Sequence, residues 1–212
     1  MFIEPNFIGK PQTPKGWIEV VCGCMFSGKT EELIRRITRA KLAKQGVAIF
    51  KPALDNRYHS KHVISHNANA IYSTPVDSAQ SILTQIGEAT VIGIDEVQFF
   101  DEGIIQVCIE LANAGKRVIC AGLDTDYKGQ PFGYMPQIMA VAEFVTKIQA
   151  ICMHCGSPAN FSHRLVPSED QVLLGETDTY EALCRSCYNQ SIEADIQRSL
   201  TPARSEEEGV SA

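Results

Sequence analysis

No apolar run in this 212-residue chain is long enough to read as a membrane span. The first residues, Met1-Phe2-Ile3-Glu4-Pro5-Asn6, lack the charged-then-apolar pattern of a secretory leader. The expected compartment is therefore the cytoplasm, with no membrane partner. A basic excess is missing too. Net charge is −6 and the pI is about 5.4, which argues against a nucleic-acid surface and favours a small-molecule enzyme. No internal repeat is visible, which excludes a repeat array. Hydrophobic residues make up 44% and charged residues 21% of the chain, enough for one full domain and a small one.

Cysteine, by contrast, is abundant, with eight in the chain. A secreted disulfide scaffold is one reading of that number. The chain's size, the missing leader and the cysteine spacing point instead to metal binding in a reducing compartment.

Gly23-Cys24-Met25-Phe26-Ser27-Gly28-Lys29-Thr30 fits the phosphate-binding pattern G-x-x-x-x-G-K-[ST]. The run Trp17 to Cys22 before it reads as a buried strand. Leu33, Ile37 and Ala40 after it give a helical stripe, with Gly46 as the stop. Gly23 and Gly28 permit a backbone that turns its N–H groups onto an anion, and the helix start adds partial positive charge. Lys29 would reach the β- and γ-phosphates of a nucleotide, and the Thr30 hydroxyl would bind Mg²⁺.

Further along, Val47 to Phe50 reads as a second strand, and residues 53–70 read as a polar loop. Its histidines, His59, His62 and His66, fit solvated loop residues better than metal ligands. Asp55, Arg57 and Tyr58 are candidates because a long polar loop beside a nucleotide site is often functional. Ser78 is placed to cap a helix over 79–86. The strand Thr90 to Ile94 ends in Asp95-Glu96. In phosphate-loop proteins such an Asp supplies a Mg²⁺-linked carboxylate, and the neighbouring Glu96 points elsewhere and suits a general base. Ile104, Cys108 and Leu111 predict a helix stopped near Gly115, with Cys108 and Cys120 in the core. Strands follow at Arg117 to Leu123 and Phe144 to Ala150, with a short helix at 137–143 between them. The loop Asp124 to Gly133 lies at a strand's carboxyl end, where open α/β sheets bind ligands. Alternation of strand and helix predicts an α/β fold of the P-loop kind, a mainly parallel sheet flanked by helices.

The alternation stops at Cys152. Cys152-Met153-His154-Cys155 and Cys184-Arg185-Ser186-Cys187 are two C-x-x-C pairs whose four thiolates suit structural Zn²⁺. Two disulfides are the rival reading. Gly156 to Leu183 between them shows no helical period and reads as a long loop pinned at both ends. The implied organisation is an arm over 1–15, a P-loop domain over 16–150, a zinc-binding domain over 151–195 and a disordered tail over 196–212, with a short helix reaching Arg198 and an acidic run at Glu206 to Glu208.

A phosphate loop, an Asp-Glu strand end and a four-Cys segment, in that order, resemble the zinc-containing (type II) thymidine kinases from about residue 17 to 190. Asp55-Asn56-Arg57-Tyr58, Ile94 to Phe99 and Lys128-Gly129-Gln130-Pro131-Phe132-Gly133 carry the same resemblance. It implies transfer of the γ-phosphate of ATP to the 5′-hydroxyl of thymidine, giving dTMP. It implies Glu96 as the base and Asp95 as an indirect Mg²⁺ partner, with Val97 and Gln98 completing the ATP site. Met25, Phe99, Leu123 and Tyr127 would wall the thymine pocket, and Tyr127 stands where many relatives carry Phe. Asp55, Arg57, Ser162, Arg164 and Tyr180 would join the substrate site. The insert would act as a lasso that reads the base with backbone groups, placing Leu173, Leu174 and Gly175 there. The resemblance also implies a homotetramer and feedback inhibition by dTTP. The rivals are a nucleic-acid-dependent ATPase with a zinc module and a plain zinc-binding adaptor.

Overall fold

The computed structural model describes residues 15–53, 62–64, 70–166, 173 and 177–200. Arm residues 1–14, Asp55, Arg57, Tyr58, His59, His66, Leu174, Gly175 and the acidic run lie outside the described residues. The elements in order are β1 (Trp17–Cys22), α1 (Lys29–Leu42), β2 (Val47–Pro52), β3 (His62–Ile64), β4 (Ala70–Tyr72), β5 (Thr74–Val76) and α2 (Gln80–Gln85). Then come β6 (Val91–Ile94), a 3-10 turn (Val97–Phe99), α3 (Gly103–Asn113), β7 (Arg117–Gly122), α4 (Met135–Val141) and β8 (Phe144–Lys147). The last are β9 (Ala150–Ile151), β10 (Pro158–Ala159), β11 (Phe161–Arg164), β12 (Tyr180–Leu183) and α5 (Arg185–Leu200).

One sheet runs β5-β2-β6-β7-β1-β8, with every pairing parallel. Alternation along each strand supplies two apolar faces. Ile18, Val20 and Cys22 of β1, with Val118 and Cys120 of β7, pack against α2, α3 and α4. Val21, Ile119 and Ala121 pack against Leu33, Ile37 and Ala40 of α1. Covering both faces is what permits the near-continuous apolar strands. All carboxyl ends of the parallel strands share one edge, so the phosphate loop after β1, Asp95 after β6 and Asp124 after β7 converge there.

Several local expectations are corrected. Helix α1 ends at Leu42, before Gly46. Lys44 takes the left-handed position (φ 58), and the N–H groups of Lys44 and Gln45 return to Lys41 and Ala40 carbonyls at 2.9 and 3.1 Å. Ser78 does not cap α2. Its hydroxyl pairs with Ser81 Oγ at 2.9 Å, and the Ala79 N–H goes to Asp101 Oδ2 at 3.0 Å. The polar stretch 53–70 contains β3, which pairs antiparallel with β4. The run Phe144 to Ala150 is broken, because Ile148 makes the last bond to Cys22 O (2.9 Å) and the chain then leaves to form β9. The insert between the cysteine pairs is not all loop, since β10 pairs with β9, and β11 with β12.

Candidate active site

The phosphate loop springs from β1 under two backbone constraints. Gly23 adopts φ 148, and a Cβ there would lie 2.2 Å from Ile148 O, so only glycine fits. Gly28 has φ 86 and opens α1. Phe26, a non-glycine, is also left-handed at φ 62, a local cost of about 1–3 kcal/mol that the surrounding fold sustains. Ser27 Oγ and Lys29 Nζ both donate to Cys24 O, at 2.8 and 2.7 Å. Burial pushes the Lys29 ammonium below its ordinary value, against the pull of the Glu96 carboxylate first and of Asp95 and Asp124 after it.

Asp95 is buried beyond the end of β6, and its Oδ1 accepts the Glu96 N–H at 3.0 Å. Glu96 is left-handed (φ 51, ψ 43) and opens the 3-10 turn that follows β6. Gln98 Nε2 donates to Glu96 Oε2, and Gln98 Oε1 accepts the Leu123 N–H at 3.0 Å. Among the residues expected at the base, Phe99 sits edge-on to Phe132 with ring centres 5.6 Å apart.

Tyr127 rides on a tight turn. Asp126 Oδ1 accepts the N–H groups of Lys128 and Gln130, both at 2.9 Å, and Gly129 supplies the positive φ of 70 the turn requires. From the insert, the Arg164 guanidinium lies 3.5 Å from the Tyr127 ring centre and donates to Tyr180 Oη at 3.2 and 3.0 Å. Tyr180 Oη in turn donates to Leu173 O at 2.9 Å. Ser162 Oγ accepts the Met25 N–H at 2.9 Å, so β11 touches the phosphate loop directly. Tyr127, Ser162, Arg164, Leu173 and Tyr180, far apart in sequence, thus form one connected wall.

The metal centre is compact. The Sγ atoms of Cys152, Cys155, Cys184 and Cys187 lie within 4.8 Å of one another, with Cys155 and Cys184 at 3.7 Å. Tetrahedral Zn–S bonds of about 2.3 Å require sulfurs about 3.8 Å apart, so the set fits zinc. All four are free thiols, against the disulfide alternative. Sulfur contact with Cys184, then burial, pushes Cys187 up to about 12. Burial raises Cys152 as well, but backbone N–H donors from Cys184, Cys155 and His154 prevail and bring it to about 6. Four clustered thiolates need a cation to coexist.

Sequence reasoning missed several participants. Asp124, just past β7, is buried and ion-pairs Lys147 Nζ at 2.6 Å. Its place at a parallel strand's carboxyl end was the available signal. Buried His163 meets Glu181 Oε1 at 2.9 Å and Asp195 Oδ2 at 3.0 Å, tying β11 to β12 and α5. Tyr188 Oη donates to Tyr127 O at 2.8 Å. Neither of these last two had a local signal, because both partners arrive by tertiary folding.

Known proteins resemble this chain closely. The family model described as "Thymidine kinase" matches residues 16–188. A thymidine kinase of Bacteroides fragilis (strain YCH46) is 59% identical over 185 residues, covering 87% of this chain and 93% of that protein. One from Rhodothermus sp. (strain ITI 518) is 60% identical over 173 residues, 82% of this chain and 81% of that protein. One from Porphyromonas gingivalis (strain ATCC BAA-308 / W83) is 54% identical over 176 residues, 83% of this chain and 86% of that protein.

Proposed function

The chain belongs to the thymidine kinase family and phosphorylates thymidine with ATP, and on the geometry above we propose the role of each residue in that transfer. Glu96 is the general base. It accepts the proton of the 5′-hydroxyl as that oxygen bonds to the γ-phosphorus, the bond to the β–γ bridging oxygen breaks, and ADP leaves. Lys29 and the loop amides hold the triphosphate and offset charge as it shifts toward the leaving group. Thr30, with Asp95 as an indirect partner, would hold Mg²⁺, which would supply positive charge to offset that of the phosphates. By the family resemblance, Met25, Phe99, Leu123 and Tyr127 would enclose the thymine, and Leu173, Leu174 and Gly175 would present backbone groups to its edge. Asp55 and Arg57 complete the substrate site.

Residues 16–150 act as the kinase domain and 151–195 as the zinc module that carries the base-reading insert. Four thiolates leave zinc no open position, so its role is structural. The family resemblance supports a homotetramer, feedback inhibition by dTTP and a cytoplasmic location. Edge strand β8 also leaves Val145 44% exposed, an apolar position open to a second subunit. No helix among the described residues is long and apolar enough to cross a membrane. A nucleic-acid-dependent ATPase and a zinc adaptor both fail to account for the family membership.

The carrying observation is the Glu96 carboxylate, fixed at the strand end beside the phosphate-loop lysine. Glu96→Gln should lower kcat about 10²- to 10⁴-fold while ATP still binds. Near-normal turnover in a well-folded Glu96→Gln protein would remove the base.

A further inference from the structure

We propose that Gln98 is a positioning residue for this reaction, a strut that holds the Glu96 carboxylate by tying it to the backbone of the pocket wall at Leu123. The proposal rests on Glu96 being the base. Gln98 is only 3% exposed, and both ends of its amide are engaged by protein. The orientation of that amide follows from chemistry. The Leu123 N–H can only donate, so the amide oxygen must face it, and the NH₂ must then face Glu96. A carboxylate only accepts, so the pairing is matched at both ends.

The surroundings leave room for Gln98, at its side chain beside Gly122 and at its backbone beside Gly133. A Cβ on Gly122 would lie 2.6 Å from Gln98 Oε1, and a Cβ on Gly133, at φ +52, would lie 2.3 Å from the Gln98 carbonyl. The end of β7 and the close of the 124–133 loop therefore leave room for Gln98 at the cost of their own side chains. Glu96 has the converse problem. Its left-handed backbone is disfavoured for a residue with a Cβ, and its side chain has several rotamers open to it in principle, which the contacts around it must narrow. One charge-assisted bond from a buried, immobile amide selects a single orientation. The link also runs from the reacting end of the site to the base pocket, since Leu123 belongs to the expected thymine wall.

The test is a cycle of four full-length proteins: wild type, Gln98→Met, Glu96→Gln and the double variant, each with kcat and KM for ATP and thymidine. Gln98→Met should lower kcat about 10- to 100-fold, the worth of one hydrogen bond to a charged group, with each KM moving less than about threefold. In the Glu96→Gln background the same substitution should cost nothing further, because the group it positions is gone. An equal cost in both backgrounds, or an unchanged kcat, overturns the strut. If Gln98→Met fails to fold, Gln98→Glu decides. It keeps an acceptor for the Leu123 N–H but puts a carboxylate where the donor to Glu96 stood. A folded Gln98→Glu protein should lose at least as much kcat, and wild-type turnover would overturn the proposal. A collapsed Glu96→Gln beside a harmless Gln98→Met removes the strut alone, whereas an active Glu96→Gln removes the base and the strut together.

Discussion

Glu19 stands in a strand whose neighbours are apolar, yet it is fully buried and is the hub of a charged network. Its Oε1 accepts Arg117 Nε and Trp17 Nε1, both at 2.6 Å, and its Oε2 accepts Arg36 Nη1 at 2.9 Å. Arg36 also reaches Glu32 Oε1 at 2.8 Å and Thr146 Oγ1 at 3.0 Å. Every buried charge there has a partner, so the network ties β1, β7, β8 and α1 together at the root of the phosphate loop. Glu19→Ala removes the acceptor that two buried guanidinium groups share, leaving Arg36 its bonds to Glu32 and Thr146, and removing one partner of such a network costs about 3–5 kcal/mol. Urea unfolding should show that loss, and a cost under about 1 kcal/mol would show that water or another acceptor had replaced the carboxylate. Lys29 makes a different kind of contact. Its ammonium rests on Cys24 O, a partner within its own loop that a triphosphate would replace. Lys29→Ala should therefore raise the KM for ATP or lower kcat with little change in Tm, and unchanged kinetics would exclude it from the mechanism.

At the end of α1, Lys44 occupies the left-handed position that glycine fills without strain. Lys44→Gly should raise stability by about 0.5–1 kcal/mol without changing kcat, as read by denaturant midpoint beside the kinase assay. A loss of stability would mean that glycine's freedom in the unfolded chain outweighs the relieved strain. The same helix shows what was legible beforehand. Its apolar stripe of Leu33, Ile37 and Ala40 was readable from period alone, and so were strands β1, β2, β6 and β7, because continuous apolar runs between glycines have few other uses. Arg36 within that stripe was not readable, since its partners Glu19 and Thr146 come from other elements. Strand β3 is only three residues long and sits in a polar stretch, and β11 (Phe161–Arg164) is mostly polar with a partner about 20 residues away, so neither announces itself. The site divides the same way. The phosphate loop, the Asp95-Glu96 pair and the four cysteines are local patterns. Gln98 as a strut, Arg164 over Tyr127 and His163 between two carboxylates exist only once the chain has folded.

The zinc segment is joined to the kinase core through the phosphate loop itself. Cys24 packs in one cluster with Ala150, Cys152, Ala159, Leu183 and Tyr188, and its thiol reaches Ala159 O at 3.4 Å. Met25 is held by Ser162, while Arg164, two residues on in β11, lies over Tyr127 and bonds the Tyr180 hydroxyl. The β11–β12 pair has four residues a strand, too little to hold a shape alone. Its anchors are His163 and the four-cysteine cluster, which joins the chain before β10 to the start of α5. Removing zinc by chelation, or with Cys155→Ser, should therefore loosen both contacts. The two substrates should respond unequally. Lys29 and Thr30 begin a helix packed by Leu33, Ile37 and Ala40 on the main sheet, so most of the ATP site survives. Leu173, Arg164 and Tyr180 have no such backing, so thymidine should lose about tenfold or more in affinity, the equivalent of one charge-assisted hydrogen bond. Ser162→Ala separates the two effects. It should keep one zinc per chain by elemental analysis and weaken ATP more than thymidine. Equal loss of both substrates on zinc removal would mean that the metal acts through the phosphate loop as much as through the base-reading hairpin.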